Sequence, residues 1–137
     1  MAKNNDMKKI LLNFVILTSI CLLTLTGCKD DLETSKEQDE QKLIALYQEI
    51  ETLANQYLCA NAAEWKFTAI GAKGCGGPTN YIAYSSKIDE SAFLKKVATY
   101  TAQQKAYNEK WNIASDCMFV TAPKSVECID NKPKFVY

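Results

Sequence analysis

Four cysteines, Cys59, Cys75, Cys117 and Cys128, constrain this chain more than any other feature. They lie downstream of an apolar segment, residues 10–25, that follows Lys8-Lys9 and ends in small residues. A basic start, an apolar stretch and small residues before a cut make a secretory signal peptide. Interrupted by Asn13, Thr18, Ser19 and Thr24, the stretch is shorter than the roughly 20 residues a bilayer core requires. A buried core helix would explain neither the lysines before it nor the small residues after it. Export places the four cysteines in an oxidising compartment, where they read as two disulfides bracing a small core. Three pairings are possible. The local pairs, Cys59–Cys75 and Cys117–Cys128, are favoured, each contributing about 2–3 kcal/mol for loops of such length. A four-thiolate metal site would want close C-x-x-C pairs, which the sequence lacks.

The residue after the cut is Cys28. The run Leu25-Thr26-Gly27-Cys28 resembles the lipobox of bacterial lipoproteins, which makes residues 1–28 a lipoprotein signal peptide with its lipobox. The resemblance implies that Cys28 carries acyl chains, palmitate among them, and becomes the mature N-terminus. One acyl chain binds a membrane marginally, at about 0.8 kcal/mol per buried methylene, so stable anchoring takes several. Lys29-Asp30-Asp31 resembles the surface-export tag of lipoproteins of the Bacteroidota. That likeness implies an outer membrane lipoprotein displayed at the cell surface, with the periplasmic face as the alternative.

Charge is unevenly distributed after Cys28. Residues 29–40 hold two lysines and six acids with few apolar residues, and read as an acidic flexible tether. Residues 41–137 hold eleven lysines and nine acids and read as a single disulfide-stabilised domain. No basic stripe marks a nucleic-acid partner. The chain has neither histidine nor arginine. Ser-His and Cys-His catalysis therefore lose their base, mixed zinc sites lose their nitrogen ligand, and bidentate anion recognition loses its guanidinium. No cofactor, metal or catalytic residue is assigned.

Along the domain, Leu43, Leu46, Tyr47, Ile50, Leu53, Ala54, Tyr57 and Leu58 recur at helical spacing. Trp65, Phe67 and Ala69 alternate with polar residues as in a strand. Gly71-Ala72-Lys73-Gly74-Cys75-Gly76-Gly77-Pro78 follows, with four of the chain's five glycines. Such a loop can offer backbone amides to an anion, but it has no Walker spacing. A disulfide-pinned hairpin turn is the favoured reading, with residues 79–85 as the returning strand. Asp89 reads as a helix cap, and Phe93, Val97, Tyr100, Gln104, Tyr107 and Trp111 as one face of a long helix stopped at Asn112. Residues 116–121 and 125–129 read as strands turning near Pro123, which would set Cys117 opposite Cys128. Asp130-Asn131-Lys132 then turns into a last strand, residues 134–137. The expected fold is α+β, helix–β–β–helix–β–β(–β), with helices packed on one face of a small antiparallel sheet.

The pattern from Cys59 and Trp65 through Gly74-Cys75-Gly76-Gly77-Pro78 to Ser115-Asp116-Cys117 and Cys128 resembles small cysteine-containing flavobacterial lipoproteins. This likeness implies an exported, disulfide-bonded domain and brings no activity with it. The function expected is a non-enzymatic binding module, inhibitor- or immunity-like, gripping a macromolecular partner, protein or glycan. Trp65, Lys73, Gly74, Gly76, Gly77, Tyr81 and Tyr84 are the candidate binding residues. Tyr107 is a further candidate anchor, although for each of these aromatics core packing is the favoured reading. The alternatives are a small envelope enzyme using Asp116, Glu64 or Lys73, and a structural or carbohydrate-contacting surface component.

Overall fold

The computed structural model describes residues 34–137. The expected leader, Cys28 and the expected export tag Lys29-Asp30-Asp31 lie outside the described residues. Helix α1 runs Lys36–Ala54, and a 3-10 turn at Ala62–Glu64 leads into β1, Trp65–Ile70. Strand β2 is Asn80–Ser85, helix α2 Glu90–Lys110, β3 Ser125–Ile129 and β4 Lys132–Val136. The class is α+β, as expected, but the strands form two separate two-stranded antiparallel sheets, β1–β2 and β3–β4.

Helix α1 starts earlier than its apolar stripe. Ser35 and Gln38 form a reciprocal capping box, each side chain bonding the other's backbone amide. Residues 36–40, expected in the tether, are therefore helical. The helix ends at Ala54, and Asn55 closes it by bonding the Glu51 carbonyl. Tyr57 and Leu58, expected on the buried stripe, fall beyond this stop and are exposed.

Helix α2 begins where Asp89 accepts from the Ala92 amide, and the pairs Lys96–Glu49 and Lys110–Asp39 set it antiparallel to α1. Leu43, Ile50 and Ala54 of α1 meet Phe93, Val97 and Tyr100 of α2, over Ile70, Ile82 and Tyr84 of the first hairpin. Cys59, Trp65 and Val126 make a smaller second cluster, flanked by Phe67 and Phe135.

The C-terminal hairpin differs from the expected one. Residues 116–121 form no strand, and the chain takes a left-handed turn at Asn112 (φ 49°) and again at Cys117 (φ 48°). Strand β3 pairs instead with β4, through Asp130 and Asn131, both at positive φ. That is the two-residue mirror-image turn whose twist suits a hairpin. The closing pair Ile129–Lys132 exchanges both backbone bonds in such a turn, so the next pair, Cys128–Pro133, exchanges none. Proline costs nothing there.

The disulfides follow from this topology, and neither is a local pair. Cys59 joins Cys128, with Cα atoms 5.2 Å apart, because the hairpin turn docks on the segment after α1. The Cys59 amide donates to the Asn131 carbonyl at 2.9 Å. Cys75 joins Cys117 at a Cα separation of 5.7 Å, because the segment after α2 folds back on the glycine loop. Each closes a longer loop than the local pairs would, which raises the expected contribution to about 4 kcal/mol.

Candidate functional site

The first hairpin and α2 build a cleft between them. Residues 71–79 connect β1 to β2, and their backbone is clamped by one face of α2. The Gly71 amide donates to Thr101 Oγ1 at 3.0 Å and the Ala72 amide to Gln104 Oε1 at 2.8 Å. Asn108 Nδ2 donates to the Ala72 carbonyl at 2.8 Å. Thr101, Gln104 and Asn108 sit at helical spacing, so the polar Gln104 within the apolar stripe is the loop's anchor. Inside the loop, Gly76 donates to the Lys73 carbonyl and Lys73 to that of Gly77, each at 3.0 Å.

The other wall is the segment after α2. Gly74 passes so close to it that an added Cβ would sit 2.6 Å from the Ile113 carbonyl oxygen. The Cys75 amide donates to Ser115 Oγ at 3.3 Å beside the Cys75–Cys117 bridge. Lys73 Nζ lies 2.8 Å from Asp116 Oδ1 and 2.7 Å from the Met118 carbonyl oxygen. The Lys73 ammonium beside Asp116 holds that carboxyl below its ordinary range. The loop, α2 and the segment after it line a cleft of about 820 Å³, with Lys105, Glu109 and Asn112 among its lining residues.

The sequence-expected binding residues divide into three groups. Lys73, Gly74, Gly76 and Gly77 all line this cleft. Gly76 and Gly77 have positive φ and open space around them, whereas Lys73 is only 12% exposed and is spent on the ion pair. Trp65 and Tyr84 are buried, so core packing accounts for them. Burial, helped by the bond its hydroxyl donates to Glu90, pushes the Tyr84 phenol up to about 12. Tyr81 lies against Phe67, ring centroids 6.2 Å apart, on the hairpin and outside the cleft. Of the three groups considered for catalysis, two meet and the third stands apart. Asp116 pairs with Lys73, while Glu64 lies before β1 and pairs with Lys87 at 2.6 Å.

Thr101, Lys105, Asn108 and Glu109 are the residues that sequence reasoning missed, whereas Gln104 stood out in the sequence as the polar residue of the stripe. Their signal was present as a polar i, i+3, i+7 row on α2, but only the loop's position gives that row a meaning. Among the described residues no helix is long and apolar enough to cross a membrane, and no three metal-ligating side chains cluster.

Fold and site together define a small disulfide-braced α+β module with one loop-walled cleft. Comparisons with family models, with curated proteins and with solved structures find no match to this chain.

Proposed function

We propose that this chain is an exported lipoprotein, anchored at Cys28, whose domain is a non-enzymatic binding module with its recognition site at the glycine-loop cleft. The observation that carries the reading is the Cys75–Cys117 bridge. It joins two exposed cysteines away from both core clusters and ties the glycine loop to the segment after α2, both of which contribute residues to the cleft lining, so what it holds is a surface shape. A loop fixed before binding has less conformational entropy to lose on contact. The exposed lining groups, Lys105 and Glu109 (which face each other at 4.0 Å), Asn112 and the backbone at Gly76 and Gly77, offer both charges and several hydrogen bonds. That mixture suits a segment of a protein partner better than a strongly charged ligand. The lipobox and the Lys29-Asp30-Asp31 tag support an outer membrane location with the module facing outward.

A photo-crosslinking residue placed at Lys105 on the cleft, in the full chain in growing cells, is expected to give one adduct of defined mass. The same probe at Lys95, exposed on α2 and outside the cleft lining, is expected to give none. No adduct at position 105, or an equal one at 95, would refute the cleft as the site. Acyl labelling that is lost in Cys28→Ala tests the anchor separately.

A further inference from the structure

Which end of the domain faces the membrane follows from a chain of contacts. The described chain begins at Thr34, six residues after Cys28. Fully extended, that stretch reaches about 20 Å, so Thr34 stays within that distance of an acylated Cys28. Thr34 is held to the C-terminal end of α2, where its Oγ1 accepts from Lys110 Nζ at 3.0 Å. Three residues on, the Ile113 carbonyl abuts Gly74, and Ser115 contacts Cys75. Lys73 then holds the Met118 carbonyl. The start of α1, the end of α2, the glycine loop and residues 113–118 therefore share one end of the domain.

That end carries the two most conspicuous exposed apolar side chains of its segment, Met118 (69% exposed) and Phe119 (88%). They are consecutive, and they are presented on backbone fixed by Cys117 and by Lys73. Neither belongs to a core cluster. Apolar side chains held rigidly in water carry a free-energy cost that a bilayer interface removes.

We infer that Met118 and Phe119 are a membrane-contacting wedge, seated in the interface of the bilayer that holds the Cys28 anchor. This rests on the lipoprotein reading above. Two side chains bury too little apolar area to hold a free domain on a membrane, so the wedge requires the anchor. Once tethered, the domain is at high local concentration and the weak contact suffices to fix its orientation. The glycine-loop cleft is then held close to the lipid surface, where it meets partners that are themselves at the membrane.

The opposite end supplies the control. Leu58, 75% exposed, follows α1 and precedes the buried Cys59, so it is apolar and exposed but remote from Thr34. The full chain is expressed in an exporting bacterium as Phe119→Trp or as Leu58→Trp, its acylation is read by mass, and it is reconstituted into phosphatidylcholine vesicles containing brominated acyl chains. Both substitutions fall on exposed side chains, and the emission of Trp65 and Trp111 is subtracted with the parent protein. Quenching at position 119 is expected to exceed that at 58 by roughly twofold or more, as for a residue within the headgroup–acyl boundary. Acylated protein with equal quenching at the two positions would overturn the wedge and leave the anchor standing. Protein without the acyl mass would remove the anchor and the wedge together.

Discussion

At the scale of single residues, the cleft depends on glycine in two different ways. Gly71 (φ 79°) is buried where β1 ends, and a Cβ there would run into Thr79 Oγ1 and lie 2.5 Å from Gln104 Oε1. Both oxygens are already engaged, Thr79 with the Ile70 carbonyl and Gln104 with the Ala72 amide. Gly76 (φ 97°) meets nothing within 4 Å. Gly71→Ala combines the left-handed backbone penalty of about 1–2 kcal/mol with overpacking of about 1–3 kcal/mol. Gly76→Ala incurs only the first. Urea denaturation is expected to show Gly71→Ala losing clearly more stability than Gly76→Ala; equal midpoints would mean that the loop is not clamped on α2. From the sequence alone the glycines were legible as a group. Which of them is jammed and which is free depends on Thr79 and Gln104, residues whose nearness only the folded hairpin creates.

At the scale of elements, the two helices are latched at one end by Asp39. Its carboxylate accepts from Lys110 Nζ at 2.9 Å and from Trp111 Nε1 at 3.3 Å. Hydrogen bonding, first from Thr34 and then from Lys110, holds the Asp39 carboxyl well below the ordinary carboxylate range. A depressed folded pKa contributes stability that is complete above the unfolded value, about 3.9, and is lost as pH falls through the folded one. Asp39→Asn should therefore be less stable than the parent at neutral pH, with the gap narrowing as the pH drops below about 4. Urea midpoints at neutral and acid pH measure this, and a gap that does not depend on pH would assign the latch to packing. Helical elements were readable because α2 repeats apolar residues by threes and fours and is announced by Asp89. The strand expected at 116–121 was not, because an apolar run has no means of declaring the left-handed turn at Cys117. The competing signal, Asp130-Asn131 with its mirror-image turn, decided the last hairpin. The disulfide pairing went with it, since Cys128 could not face Cys117 once residues 116–121 left the sheet.

At the scale of the whole molecule, the boundary between the expected tether and the domain decides how near the proposed Cys28 anchor the domain would sit. Composition places that boundary at residue 40, because acids dominate up to there and apolar periodicity begins after it. Local capping chemistry places it earlier. Ser35 and Gln38 satisfy each other's backbone amides, and Asp39 reaches across to Lys110 and Trp111, so the acidic residues 36–40 belong to the folded unit. Acids early in α1 are also favoured by the positive end of its dipole. A protein starting at residue 34 keeps these interactions; one starting at residue 41 loses the cap, worth about 1 kcal/mol, and the whole Asp39 latch. The shorter form is thus expected to unfold at lower urea, with its far-ultraviolet helix signal reduced by more than the deleted residues account for, because the uncapped first turn frays toward Leu43. Identical urea midpoints for the two forms would return residues 36–40 to the tether. The same comparison bears on the proposed anchor, since each residue moved from spacer to helix would shorten the reach from an acylated Cys28 by about 3.5 Å of extended chain.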